Sequence, residues 1–155
     1  MFDTTVRSVM RRRNVLRAPP ETSVARAARL MARKNVGAVM VIEDGRLAGI
    51  FTERDVVFRV VACGLDPRAT RLADVMTRKP QTIGPDERFG RALLIMHDKG
   101  FRHLPVVDDG KLVGIVSARS AMDPDLEEFV SEAKRREHFL GSGGPTRRAR
   151  AAPVR

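Results

Sequence analysis

The order of hydrophobic and polar residues along this chain predicts the same set of elements twice. In the first set, the apolar face of a helix has the spacing i, i+3, i+4, i+7: Val24, Ala27, Ala28 and Met31. Two short apolar runs then flank Asp44-Gly45, and because glycine readily adopts positive φ, this pattern predicts a β-hairpin. A second helix is predicted over roughly residues 53–63, ended by Gly64.

The second set of elements repeats the first at a fixed offset of 65 residues. Its helix face follows the same spacing: Phe89, Ala92, Leu93 and Met96. Its hairpin contains Asp109-Gly110, and the dipeptide Val9-Met10 has a later counterpart in Val75-Met76. This duplication over residues 6–122 predicts an α/β fold of the α+β type, built from two repeats of the order β-α-β-β-α.

The chain is predicted to contain four segments. Repeat one with its N-terminal lead-in takes residues 1–66, and repeat two takes residues 67–122. Pro124 is predicted to begin an amphipathic helix over residues 123–140, because proline suits the first turn of a helix. The basic remainder, residues 141–155, contains several glycines and no acids, so we expect it to be disordered.

Composition is typical of a globular protein without disulfides. Among the 155 residues there is a single cysteine, Cys63, which cannot form an internal disulfide. The longest apolar runs are far too short to cross a membrane, and the N-terminus lacks the pattern of a secretory signal. We therefore predict a cytoplasmic protein with no membrane partner.

Positive charge is concentrated near both ends of the chain. The formal net charge is +10, with arginines clustered at residues 11–13 and again between residues 147 and 155. Such clusters suit nucleic acid, although no aromatic residues interleave with them and no recognition-helix motif is present. Nucleic-acid binding is therefore an alternative function, and a solvated surface is the simpler interpretation.

The common signatures of catalysis are absent from the sequence. It lacks a phosphate-binding loop with Gly-Lys-Thr/Ser, a Gly-x-Gly-x-x-Gly motif and a His-Glu-x-x-His motif. The three histidines are scattered and have no acidic or cysteine companions at the spacing of metal ligands. We therefore predict that the protein is not an enzyme and holds no catalytic cofactor or metal.

The segment from Gly49 to Asp55 combines groups that suit a nucleotide. A strand is predicted to end and a helix to begin at Thr52, where free amide groups and the hydroxyl favour a phosphate. Asp55 offers two acceptor oxygens to the hydroxyls of a ribose, and Gly49 allows close approach to the backbone. The same Thr-x-x-Asp pattern also fits a capping box that only satisfies backbone donors, and the segment alone favours that alternative.

The two copies together resemble the CBS domain, a family named after cystathionine β-synthase. The resemblance rests on Val-Met-Val-Ile-Glu-Asp-Gly-Arg-Leu-Ala-Gly-Ile-Phe-Thr-Glu-Arg-Asp at residues 39–55, on Leu-Pro-Val-Val-Asp-Asp-Gly-Lys-Leu-Val-Gly-Ile-Val-Ser at residues 104–117, and on Asp-Val-Met-Thr-Arg-Lys-Pro at residues 74–80. It implies a stand-alone tandem pair of the bacterial type, with a pseudo-twofold axis and two clefts. It also implies a regulatory sensor that binds AMP, ADP or ATP, with S-adenosylmethionine or NAD(H) as further candidates.

The family's closing motif assigns roles to particular residues of this chain. In the family, a Thr or Ser at the strand end lies near phosphate and an Asp three residues later binds ribose, so these roles fall on Thr52 and Asp55. In copy two, Ser117 keeps the hydroxyl, but Ser120 stands where the acid would be. We therefore expect one complete nucleotide site per chain, on the side of copy one.

Basic residues ahead of the second hairpin are further candidates for the nucleotide site. Arg102 and His103 stand where copy one has Gly37 and Ala38, and family members use basic residues here to contact phosphates. All four positions are assigned to the site, and the alternative is surface charge at Arg102 and a half-buried strand residue at His103. Arg54 is assigned as well, because it could face a phosphate. The alternative for Arg54 is a salt bridge between subunits.

The resemblance also implies a homodimer and a separate, unknown effector protein. CBS pairs usually dimerise through the helices that follow the hairpins. In this chain four valines make that helix apolar enough to pack between subunits: Val56, Val57, Val60 and Val61. The remaining alternative is a protein-interaction module that binds no ligand.

Overall fold

The computed structural model describes residues 4–121. The predicted helix at 123–140 and the predicted basic tail at 141–155 lie outside the described residues. None of the helices in residues 4–121 has the length and apolar character needed to cross a membrane. The cytoplasmic location and the stand-alone character of the pair stay predictions.

The secondary structure follows the predicted order in repeat one, whereas the predicted first strand of repeat two is not formed as a strand. In chain order the elements are α1 (Val6–Val9), β1 (Arg17–Ala18), α2 (Val24–Lys34), β2 (Ala38–Glu43), β3 (Arg46–Thr52), α3 (Glu53–Asp55) with a π-helical continuation (Val56–Val61), α4 (Leu72–Val75), β4 (Thr77–Arg78), α5 (Phe89–Lys99), β5 (His103–Asp108), β6 (Lys111–Ser117) and a 3-10 helix (Ala118–Ala121). One sheet has the order β1-β2-β3-β4, and the other contains β5 and β6.

Single backbone bridges complete the second sheet where short strands complete the first. The parallel bridge from Ile83 to Val106 takes the place of β1, and the antiparallel bridge from Arg11 to Ile115 takes the place of β4. The predicted first strand of repeat two is therefore reduced to one bridge.

Both hairpins turn at the Asp-Gly pairs, as the sequence predicts. The φ angles are 49° at Asp44 and 74° at Gly45, and they are 46° at Asp109 and 76° at Gly110. Two successive residues with positive φ form a type I′ turn, whose twist matches that of the flanking strands. The hairpins therefore end at equivalent places, which brings Thr52 and Ser117 to equivalent strand ends.

The parts of β2 and β3 that are distant from the turn are buried because different partners cover their two faces. One face packs against α2 in a single core cluster whose strand members are Val39, Val41 and Phe51. The other face, with Ala38, Met40 and Ile50, packs with Leu112 of the second repeat. The apolar run in β2 is therefore explained by a helix on one side and the other repeat on the opposite side.

The segment that precedes each repeat packs in the core of the other repeat. Val6 and Met10 belong to the cluster of repeat two, while α4 and Met76 belong to the cluster of repeat one. The backbone follows the same exchange, because Arg11 and Ile115 form two hydrogen bonds, of 2.9 and 3.1 Å, and β4 pairs with β3. The two cores therefore do not follow the division of the chain at residues 66 and 67.

Two glycines give the exchanged segments room. A Cβ atom added to Gly49 would collide with Met76 Sδ and lie 2.9 Å from the backbone oxygen of Thr77. A Cβ atom added to Gly114 would lie 2.9 Å from Met10 Sδ. The close approach expected at Gly49 is therefore made by the segment that contains Met76. The glycine and the Val-Met dipeptide occur in both repeats, and in both the methionine packs against the glycine.

Replacement of Gly49 by alanine should lower the free energy of unfolding by about 1–3 kcal/mol, because the methyl group must displace a methionine and a backbone carbonyl. Gly84→Ala is the matched control, since its nearest neighbour is the Glu87 side chain at 3.5 Å. Urea denaturation of the wild type and both variants measures the difference. Equal losses in the two variants would contradict the role given to Gly49.

Candidate functional site

Each hairpin ends at a cavity between the two repeats. The small cavity, of about 160 Å³, lies at the end of β3 and includes Thr52 and Asp55 in its lining. The large cavity, of about 590 Å³, lies at the end of β6 and includes Ser117 in its lining. The complete Thr-x-x-Asp motif therefore lines the smaller of these two cavities.

All eight predicted site residues line one or both of these cavities. The small cavity brings together five of them: Thr52, Arg54, Asp55, Arg102 and His103. The large cavity also contains five: Gly37, Ala38, Arg102, His103 and Ser117. Arg102 and His103 line both cavities because they form part of the wall between the two spaces. The structure therefore brings Arg102 and His103 of repeat two to the Thr52 side, where a shared site requires them.

The linings of the two cavities contain unequal residues at equivalent positions. Glu53 donates its amide to the Gly37 oxygen at 3.0 Å, and in repeat two Ala118 donates to the Arg102 oxygen at 2.8 Å. The backbone contact is the same, but repeat two has arginine where repeat one has glycine, and repeat one has glutamate where repeat two has alanine. The longer side chains, Glu53 and Arg102, line both cavities, whereas the shorter residues, Gly37 and Ala118, line only the large one.

Thr52 and Asp55 form the capping box that the sequence left as an alternative. The Thr52 amide and hydroxyl both donate to Asp55 Oδ2 at 2.8 Å, and the Asp55 amide donates to Thr52 Oγ1 at 3.4 Å. The other oxygen, Oδ1, pairs with Arg59 Nε at 3.3 Å. Both oxygens of Asp55 therefore have partners, Thr52 at the end of β3 and Arg59 in the π-helical continuation, and a ribose that bound Asp55 would compete with both.

Two arginine side chains reach across the small cavity from one repeat to the other. Arg54 Nη1 donates to the Gly100 backbone oxygen at 3.1 Å, and its guanidinium lies 5.2 Å from the centre of the Phe58 ring. Arg102 Nη2 pairs with Glu53 Oε1 at 3.0 Å. These contacts tie the first repeat to the second at the small cavity.

Glu53 is a site residue that the sequence reasoning missed. It lines both cavities and pairs with Arg102. The signal for it was present in the repeat, because the equivalent position in copy two is Ala118. An acid present in one copy only, opposite an arginine present in the other copy only, indicates an ion pair between the repeats.

His103 lies in the wall between the two cavities and is half-buried. Burial lowers the pKa of its imidazole below the usual value, and the Arg102 charge lowers it further, while Glu53 acts in the opposite direction. His103 is therefore mainly neutral at pH 7 and acts as a hydrogen-bonding group in the wall. In residues 4–121, no cluster of three or more His, Cys, Asp or Glu side chains is arranged to hold a metal ion.

Comparison with known proteins identifies the family. The CBS domain model matches residues 6–62 and residues 72–124. The chain belongs to the CBS domain family. Its two repeats are a tandem CBS pair, and CBS pairs are in general regulatory or signalling modules.

Solved structures of CBS proteins share this fold. A putative signal-transduction protein with CBS domains from Burkholderia ambifaria is 32% identical with a TM-score of 0.74, over 79% of this chain and 96% of that chain. The CBS domain pair of protein MJ0100 is 25% identical with a TM-score of 0.70, over 77% of this chain and 93% of that chain. The MJ0100 pair was crystallised in complex with 5′-methylthioadenosine and S-adenosyl-L-methionine.

Curated relatives include the mitochondrial CBS domain-containing protein CBSX3 of Arabidopsis thaliana. It is 31% identical over 128 residues, which are 79% of this chain and 62% of the relative. Across the curated relatives compared, the matched part covers between 17% and 76% of the relative's length. The similarity therefore concerns the CBS pair itself rather than every domain of those proteins.

Acidification should destabilise this CBS pair through His103. The unfolded imidazole titrates near pH 6.5, whereas the folded one has a lower pKa, so the unfolded chain binds a proton that the folded chain does not. The free energy of unfolding should therefore fall as pH drops from about 7.5 to about 5.5, and His103→Gln should reduce that fall. His97→Gln, with a ring 88% exposed, is the control, and an unchanged slope in His103→Gln would disprove the assignment.

Proposed function

We propose that this CBS pair is a regulatory module that binds an adenosyl ligand between its repeats and responds with a change in geometry or self-association. The observation that carries the proposal is the shared lining of the small cavity. Thr52 and Asp55 come from repeat one, and Arg102 and His103 come from repeat two. A ligand that contacts all four would bridge the repeats.

Each of these side chains offers chemistry that an adenosyl ligand can use. Asp55 presents acceptor oxygens to ribose hydroxyls, while Thr52 and Arg102 can donate to a phosphate or carboxylate. The ligands of the MJ0100 pair, 5′-methylthioadenosine and S-adenosylmethionine, both contain adenosine, which supports this class. AMP, ADP, ATP and NAD(H) remain candidates within it.

Ligand entry must open the small cavity, and this requirement supports a signalling role. Ligand sites usually have volumes of about 300–1,000 Å³, whereas the small cavity has about 160 Å³. The Arg54–Gly100 and Arg102–Glu53 contacts cross this space and hold the repeats together. A ligand that replaces them favours a second geometry of the pair by the difference in its affinity for the two geometries.

Calorimetric titration with AMP, ADP, ATP, S-adenosylmethionine and NADH tests the site. At least one ligand should bind the wild type, and Asp55→Asn should weaken it about tenfold or more, because an amide cannot accept from both ribose hydroxyls as a carboxylate does. Asp98→Asn, which alters an exposed aspartate 70% accessible on α5, should bind as the wild type does. Binding that is unchanged in Asp55→Asn would remove this site, and a lack of binding by all five ligands would remove the function.

The helix that follows β3 has an exposed apolar face that supports a homodimer. Val57, Phe58 and Val61 are 55%, 61% and 68% exposed. Of the four valines predicted to pack between subunits, Val60 is only 1% exposed and belongs to the core of repeat one, and Val56 is partly buried against the same core. Phe58, which the prediction did not include, takes part in this face instead. We propose that this face packs against a second copy of the chain.

Val61→Glu should convert a dimer to a monomer, because burial of a charge in an apolar interface costs several kcal/mol unless the charge is paired. The matched control is Leu94→Glu, which places the same charge at a leucine 65% exposed on a different helix, α5. Analytical ultracentrifugation across a concentration series gives the dissociation constants. A dimer that persists in Val61→Glu, or one lost equally in Leu94→Glu, would rule out this interface.

A further inference from the structure

We infer that Glu53 sets the charge that the small cavity accepts, so that this cavity selects a neutral or cationic adenosyl compound over a nucleoside di- or triphosphate. The inference rests on the proposed function, because it concerns the ligand of the same cavity. It goes beyond that function by naming the residue that determines ligand charge. Its basis is the distribution of charge and space around Glu53.

The charged side chains of the small cavity balance one another. Its lining contains two acids, Glu53 and Asp55, and two arginines, Arg54 and Arg102. The imidazole of His103 adds no full charge near neutral pH, because burial keeps it deprotonated. The lining residues therefore offer no net positive charge to a ligand with several negative charges, and Arg59, which is outside the lining, is engaged with Asp55 Oδ1 at 3.3 Å.

Glu53 occupies the guanidinium that a phosphate chain would use. Its Oε1 lies 3.0 Å from Arg102 Nη2, and its Oε2 would lie 3.2 Å from a Cβ atom added to Gly37. A phosphate can reach Arg102 only in competition with this carboxylate. Each further phosphate adds negative charge close to Glu53, whereas the sulfonium group of S-adenosylmethionine would be attracted to it.

The balance of acids and arginines in the lining of the small cavity is not repeated in the large cavity. Within residues 4–121, the charged residues of its lining are three arginines, Arg11, Arg102 and Arg119, and one acid, Glu53. Its volume of about 590 Å³ is also within the range of nucleotide sites. If a polyphosphate binds this pair, charge and space favour the large cavity, which leaves the small cavity to less charged ligands.

Isothermal titration of Glu53→Gln with 5′-methylthioadenosine, S-adenosylmethionine, AMP and ATP tests the inference, in buffer without divalent cations. The glutamine keeps the size of the side chain and removes its charge. Each titration is repeated in an Asp55→Asn background, and the binding lost there is assigned to the small cavity. Glu43→Gln is the control, because it removes the same charge at an exposed residue at the end of β2.

In the wild type, the binding that depends on Asp55 should be weaker for ATP than for 5′-methylthioadenosine. Glu53→Gln should strengthen ATP binding about tenfold, weaken S-adenosylmethionine binding severalfold and change 5′-methylthioadenosine less than about twofold. Glu43→Gln should change none of the three. Opposite shifts for the anionic and cationic ligands identify a charge effect, because a change in cavity shape would not depend on the sign of the ligand charge.

Two results would overturn the inference while leaving the proposed function intact. One is an equal change for all ligands in Glu53→Gln, which would mean that Glu53 acts through packing. The other is wild-type binding that depends on Asp55 and is tightest for ATP. If no ligand shows binding that depends on Asp55, the assigned site fails together with this inference. Thermal melting of every variant confirms that each comparison is made between folded proteins.

Discussion

The structure of this CBS pair depends on an exchange of short segments between its repeats. Met76 lies against Gly49 of repeat one, and Met10 lies against Gly114 of repeat two, with the adjoining backbone paired to the same strands. Each core is completed by residues that precede the other repeat along the chain. Because neither core is complete with its own stretch of sequence, the two repeats fold as one unit and enclose a boundary on which ligand sites can form.

Internal duplication fixes the architecture of that boundary, and a few substitutions make its two halves unequal. The backbone contacts at Glu53–Gly37 and at Ala118–Arg102 are equivalent. The side chains are not equivalent, because the charged pair Glu53–Arg102 lines both cavities, whereas the small residues Gly37 and Ala118 line only the large one. A duplicated fold can therefore present two sites of different volume and charge without any change in its backbone plan.

The Thr-x-x-Asp motif can serve both as a capping box and as part of the proposed ligand site. Thr52 and Asp55 form a capping box, and Asp55 also pairs with Arg59 on the helix that carries the exposed face of Val57, Phe58 and Val61. A ligand that competes for Asp55 would disturb the first turn of that helix. The same side chains would then stabilise the fold without ligand and transmit the presence of ligand to the surface proposed for self-association.

The sequence by itself determined the repeats, the Asp-Gly hairpins, the apolar helix faces and the family, because these features depend on local spacing and on glycine's access to positive φ. It also identified residues that line both cavities. Only the tertiary structure decided that the lead-in segments exchange cores, that Val60 faces inward and that Glu53 meets Arg102. These features depend on contacts between residues that are far apart in the sequence. Glu53 is an acid present in one repeat only, and it forms its ion pair because the fold brings Arg102 of the other repeat to it.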